Sequence, residues 1–239
     1  MDFKICIPSK GRAGLITSHK VFKSATIFVP KNEVEQYKIY SNEIIGVPNE
    51  IKGITATRNW ILKNTNKDVF FIDDDFQDGG YVERLTEQYT RKHITDENIY
   101  IKEIYKLFEM SYQLGSKING FFTTNNNLTL YPFQPFLFTG VCLGSCMGVV
   151  NDGSYYFDED YEVKEDYELT LRHLVDKGLT VRSNVLFMQH EHTQLKGGCR
   201  DSNRIQKEKV AIKNLIKKYP NMIKEAKHRG TSFSIQLNI

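Results

Sequence analysis

Short apolar runs separated by polar turns dominate the first third of the chain. Phe3-Lys4-Ile5-Cys6-Ile7-Pro8, Ala25–Val29, Glu43–Val47 and Val69-Phe70-Phe71-Ile72 are rich in β-branched and aromatic residues and short enough to be strands. Between them the spacing turns helical. Ser9–Gly14 leads into a helix expected to reach Phe22, and Asn32 is placed to cap a short helix reaching Tyr40. Ile54, Trp60, Ile61 and Leu62 recur at helical spacing, with Arg58 on the polar side. Strands alternating with helices predict a right-handed parallel wind. The fourth run is apolar at every position, as in a strand covered on both faces.

Further on, Gly79-Gly80 reads as a break followed by a mobile loop. Asn98–Leu114 is amphipathic, with Ile101, Ile104, Tyr105, Phe108 and Tyr112 on its apolar face. Gly120–Thr124, Asn127–Tyr131 and Cys146–Val150 are strand-like, and the last two suggest an antiparallel edge. Leu169, Leu171, Leu174 and Val175 suit a packed helix closed by Lys177-Gly178. Asn184–Met188 is one more strand, and Ser202 is placed to cap a basic helix reaching Tyr219. No internal repeat or low-complexity tract interrupts the pattern.

Composition narrows the class. A chain of 239 residues with 40% hydrophobic content can fill the core of one α/β domain. The division expected is a catalytic domain at 1–200 and a basic helical extension at 201–239 packed on it. Ile118–Asn151 carries no charge, yet Pro132, Pro135 and repeated Asn and Gly exclude a membrane helix. No secretory pattern opens the chain, so a cytoplasmic protein is expected. Cys6, Cys142, Cys146 and Cys199 lack the paired spacing of a zinc site and read as free thiols. Net charge is +3, but Lys196–Arg229 alone holds eleven Lys and Arg against three acids. That block fits a polyanionic partner as well as it fits a solvated helix face.

The candidate chemistry sits where strands end. Asp73-Asp74-Asp75 follow the buried run directly, and open α/β sheets bind ligands at the carboxyl ends of their strands. Three adjacent carboxylates repel unless a cation or donors compensate them, and a hard divalent ion is the simplest compensator. Lys10 and Arg12 flank the amides of Ser9–Gly14, which suit an anion or an ordinary surface turn equally. Glu165 and Asp166 open a helix, whose dipole favours their ionised forms. His190 and His192 would share one face of an extended segment, and Lys196-Gly197-Gly198-Cys199-Arg200 is a flexible basic loop.

Taken together, Ile7-Pro8-Ser9-Lys10-Gly11-Arg12, Thr57-Arg58-Asn59, Asp73-Asp74-Asp75, Glu165-Asp166 and His190/His192 resemble the motif order of nucleotide-sugar glycosyltransferases of the GT-A fold. The opening Pro-Ser-Lys-Gly-Arg, the Thr-x-x-Arg-Asn helix and the final Gly-Gly-Cys resemble, more narrowly, the dioxygenase-associated enzymes that glycosylate hydroxymethylated pyrimidines in phage DNA. That group includes the enzyme completing base J. The fold implied is α/β and GT-A-like: a Rossmann-type, mostly parallel sheet flanked by helices, with the basic C-terminal segment.

By this resemblance a sugar moves from a nucleotide diphosphate, most simply a UDP-sugar, to a hydroxymethylpyrimidine in DNA, in the host cytoplasm if the chain is phage-encoded. Pro8, Ser9, Arg12 and Arg58 would meet the nucleoside or its phosphates, Asp73 the ribose or donor sugar, and Gly197, Gly198 and Arg200 the diphosphate. Asp75 and His192, with Asp74 and His190 as alternates, would hold Mn²⁺ or Mg²⁺. Asp166 would be the general base of an inverting enzyme, with Glu165 beside it. Arg204, Lys207, Lys213 and Lys217 would follow the DNA backbone, and Tyr155, Tyr156 and Phe157 would stack on a displaced base or pack in the core. A saccharide or protein acceptor, and a metal-dependent nuclease using the same acids, are the competing readings.

Overall fold

A computed structural model describes residues 2–85, 88–123, 134–191, 203–225 and 235–237, with 82–85, 88–90 and 235–237 given by backbone alone. Strands β1 (Phe3–Pro8), β2 (Thr26–Pro30), β3 (Glu43–Val47) and β4 (Asp68–Ile72) pair in the parallel order β3-β2-β1-β4. The sheet continues through β9 (Cys146–Val149), β7 (Ile118–Phe122), β10 (Val181–His190), β5 (Phe76–Leu85) and β6 (Gln88–His93). A two-residue strand, β8 (Phe136–Leu137), pairs with β10. Six strands, β1–β4, β7 and β10, point one way, so their carboxyl ends share one edge. β4 is buried along its whole length, as its unbroken apolar run requires.

Two faces of helices cover the sheet. On one side α3 (Glu97–Leu114) packs Tyr100, Ile104, Leu107 and Phe108 against the sheet residues Phe70, Phe121 and Leu186. On the other, α2 (Ile54–Lys63) and α4 (Glu165–Lys177) bury Ile61, Leu62 and Leu169 against Phe71, Val69 and Met147. A short helix α1 (Val34–Tyr37) precedes β3. The last helix, α5 (Arg204–Lys218), packs Ala211, Leu215 and the following Tyr219 on Leu171 of α4. Beyond it, β11 (Ile223–Glu225) pairs with β12 (Ile235–Leu237). Among the described residues no helix is long and apolar enough to cross a membrane.

Several local expectations need correction. The segment after Gly14 forms only a 3-10 turn at Ser18–Lys20, because the hydroxyl and amide of Ser18 are drawn to the acid loop. Asn32 caps nothing: it lies inside a second 3-10 turn, Lys31–Glu33, ahead of α1. Gly79 and Gly80 make no break but lie within β5, where a Cβ would meet Tyr100 Oη at 2.4 Å and Lys92 O at 2.2 Å. The buried face of α3 is turned from the one expected, leaving Tyr105 and Tyr112 exposed. Val175 is exposed as well. β9 runs antiparallel but is internal, between β4 and β7, rather than an edge. The cap of α5 is Asn203; Ser202 and the segment Asn127–Tyr131 lie outside the described residues.

Candidate active site

Four chain segments meet at the carboxyl edge beside β4. Ser9 follows β1, Asp73-Asp74-Asp75 follow β4, Gly144-Ser145 precede the antiparallel β9, and Glu165-Asp166 open α4. The main chain ties them together: Asp73 N donates to Ser145 O at 3.2 Å, and Glu191 N, just after β10, donates to Asp75 O at 3.0 Å. Ser18, fully buried, donates its hydroxyl to Asp73 O at 2.5 Å and accepts from Phe76 N at 3.0 Å. The acid loop is therefore held from both sides.

The three carboxylates have different partners. Asp74 accepts from Ser9 Oγ at 2.5 Å and from the Arg12 guanidinium, so it fastens the loop after β1. Tyr37 joins that loop by taking the Arg12 amide at 2.9 Å and lying 3.1 Å from Ser9 Oγ. Asp73, the most exposed of the trio, accepts from Arg58 at 3.1 Å. Asp75 is buried, lies 3.7 Å from Arg12, and its Oδ1 accepts no hydrogen bond among the described residues. Burial pushes its carboxyl up to about 7; Asp73 and Asp74 add to the rise and Arg12 opposes it.

A buried acid with an open oxygen beside a more exposed carboxylate fits a hard divalent cation, which favours charged oxygen ligands. Among the described residues no three His, Cys, Asp or Glu side chains gather around one point. His192, expected to complete such a shell, lies outside them, as do Gly197, Gly198 and Arg200. His190 is buried at the end of β10, with its ring edge-on to Phe76 at 5.6 Å.

Arg58 does not lie on the polar side of α2, as its position suggested; only 3% of it is exposed. Its guanidinium donates to Glu165, to Asp73 and, at 3.0 Å, to Gly144 O. The rings of Phe71 and Phe157 lie 5.7 and 5.6 Å from it, which favours a desolvated cation. A side chain at Gly144 would strike this guanidinium, since a Cβ there would lie 2.4 Å from Nη1. The neighbouring motif residues hold the opposite segment. Thr55 donates to Tyr161 O at 2.7 Å, and Asn59 bonds both backbone groups of Phe157.

The two acids of α4 then separate. Glu165 is buried and its carboxyl is shifted upward by burial and by Asp166, with Arg58 opposing, so the dipole does not dominate as expected. Asp166 stays half-buried; its Oδ2 accepts from Gly144 N at 2.9 Å and its Oδ1 from Tyr167 N at 2.8 Å. Lys164 before them adopts φ 64°, an uncommon conformation for a side-chain-bearing residue and one that concentrates at functional sites.

Tyr155 and Phe157 are core residues, packed with Phe71 and Leu169, rather than a stacking platform. Of the basic residues on α5, Arg204 pairs with Glu208 and Lys207 with Glu162, while Lys213 and Lys217 are exposed. Pro8 ends β1 beside Phe28. Ser18, Tyr37 and Gly144 had no signal in the sequence, because each acts through contacts that only the tertiary fold creates.

The crystal structure of S. aureus TarS 1-349 is similar, with TM-score 0.50 and 10% identity, covering 90% of this chain and 66% of that one. That of TarS 1-349 in complex with UDP gives 0.49 at 11% identity, covering 92% and 72%. The chain thus spans about two thirds of the first TarS chain. No curated protein sequence matches it. The sheet order and this likeness show a GT-A-type α/β fold. Residues 3–198 match the family model described as TET-Associated Glycosyltransferase, and the chain belongs to that family. It is a glycosyltransferase.

Proposed function

We propose that the enzyme transfers a sugar from a nucleotide-diphosphate donor, most simply a UDP-sugar, to the hydroxymethyl group of a modified pyrimidine in DNA, at a catalytic body of residues 1–200 assisted by the basic segment 201–239. The observation that carries the reading is the division of labour at Arg58. It pairs with both Asp73 and Glu165 and leaves Asp166 half-exposed, fixed by Gly144, as the carboxylate able to take a proton.

Asp73 and the loop Pro8-Ser9, with Arg12, would meet the nucleotide at this edge. Asp75 would hold a divalent cation, Mn²⁺ or Mg²⁺, which when bound supplies Lewis-acid stabilisation of the leaving diphosphate. Asp166 accepts the hydrogen of the attacking hydroxyl, a role worth ~10²–10⁴-fold in rate. The Gly144 amide keeps its carboxylate aimed while Glu165 stays committed to Arg58. Lys213 and Lys217, exposed one helical turn apart, suit a phosphate backbone. A hydroxymethyl group on a base paired in a duplex is out of reach of a cleft, so the base must leave the stack.

The test offers hydroxymethylated and unmodified DNA with a panel of nucleotide sugars and follows the mass of the released bases. A mass increase confined to hydroxymethylated DNA is expected. Transfer to saccharides alone would replace this acceptor with the competing one.

A further inference from the structure

A cavity of about 240 Å³ is lined by Phe121, Phe122, Thr123, Val141, Leu143, Tyr167 and Arg182. Two of its lining residues are chain neighbours of the proposed base and of the amide that holds it. Tyr167 follows Asp166 in α4, and Leu143 precedes the Gly144 whose amide holds the Asp166 carboxylate. The lining combines the rings of Phe121, Phe122 and Tyr167 and the aliphatic Val141 and Leu143 with the polar Thr123 and one cation. The Arg182 guanidinium lies 5.0 Å from the centre of the Phe122 ring and donates to Val141 O at 3.2 Å.

Arg182 is the unexplained part. Its Nε is buried and has no hydrogen-bond partner among the described residues, and no described carboxylate lies within ion-pairing distance. A part-buried guanidinium without a counter-charge is costly unless something else accepts its hydrogens. Arg58, by contrast, has two acids and a carbonyl. A phosphate would find one cation here among aromatic and aliphatic walls. A planar ring bearing carbonyl oxygens satisfies both halves of the cavity, stacking on the aromatic wall and accepting from the arginine.

We infer that this cavity is the acceptor subsite, that it receives the displaced pyrimidine ring, and that Arg182 donates to a ring carbonyl. The inference rests on the DNA-acceptor reading above. The reading requires the substituent at the ring's 5-position to reach Asp166, with the donor at the β4 edge.

The experiment compares wild type, Arg182→Met and Leu143→Trp on an oligonucleotide carrying 5-hydroxymethyluracil or 5-hydroxymethylcytosine. Arg182→Met is expected to raise acceptor KM about tenfold or more, the usual effect of losing a charge-assisted hydrogen bond. Leu143→Trp fills the cavity without deleting a buried polar group and is expected to do the same. Affinity for UDP, titrated on each variant, should shift by less than about twofold, a split that general damage would not produce. If Arg182→Met does not fold, Leu143→Trp alone decides. Unchanged acceptor KM in the folded variants of an enzyme that modifies DNA overturns the subsite and leaves the proposed function standing. A wild type that modifies saccharides and never DNA overturns both.

Discussion

The carboxamide of Asn59 bonds the backbone of Phe157 twice, donating to its carbonyl at 2.9 Å and accepting from its amide at 2.8 Å. One side chain thus replaces a strand neighbour for a segment that has none. It also sets the Phe157 ring against the guanidinium of the adjacent Arg58. Asn59→Leu leaves two buried backbone groups unpaired and should cost about 2–4 kcal/mol in urea unfolding. Donor affinity should weaken with it, because Arg58 loses one wall. A cost below about 0.5 kcal/mol would show that water replaces the amide without penalty.

Asp75→Asn tests the cation site. The folded-state carboxyl is raised to about 7, above its ordinary value, so its contribution to stability is full at low pH and is lost as pH rises through 7. Removing the charge should leave the apo protein at pH 8 as stable as wild type or more so. The increase in Tm that Mn²⁺ and UDP give together should disappear. Retention of that increase would move the ligand role away from Asp75.

Asp166→Asn preserves size and the bond from the Gly144 amide but cannot take up a proton. Turnover should fall by ~10²–10⁴-fold with UDP affinity nearly unchanged. Near-normal turnover would direct attention to Glu165, whose release from Arg58 would then have to accompany the reaction.

His173 gives a pH signature independent of catalysis. It is fully buried, accepts from Lys117 N at 2.9 Å, and faces Tyr155 edge-on at 4.9 Å. Burial lowers its pKa to about 4, with Asp176 opposing. The unfolded chain therefore binds a proton that the folded one refuses between roughly pH 6.5 and 4. Stability should fall across that window as pH drops, by on the order of 1–3 kcal/mol from this residue. His173→Gln should flatten the difference between pH 7 and pH 5 in denaturant titrations, and an identical slope in both proteins would contradict it.

For the basic helix, Lys213→Gln with Lys217→Gln should weaken DNA binding uniformly across sequences. The slope of log affinity against log salt should become shallower by about 2. An unchanged slope would remove these two lysines from the DNA surface.

The parallel wind was legible because each of β1 to β4 is a self-contained apolar run, and the acids after β4 declared the edge. Arg58 was found but given the wrong side of its helix. Helical spacing locates a polar face, yet two acids from Asp73 and Glu165 are what let a cation turn inward. Gly79-Gly80 looked like a break because glycine weakens a strand. Here the absent side chains admit Tyr100 and the β6 backbone, a reason no local pattern carries. Gly144 was silent for the same reason: its role is the space it leaves for Arg58.

The antiparallel β9 also bears on the order in which the protein comes together. The edge proposed to take the nucleotide uses contacts among residues 3–76, from strands wound one after another. The Gly144 loop and Asp166 reach it only when β4 pairs with β9, as in Phe70↔Gly148 and Ile72↔Cys146. Closing a loop of that length costs more than closing the local ones, and such long-range pairings slow folding. A chain emerging during synthesis would then carry its acid cluster before it carries the carboxylate proposed to draw a proton from an acceptor.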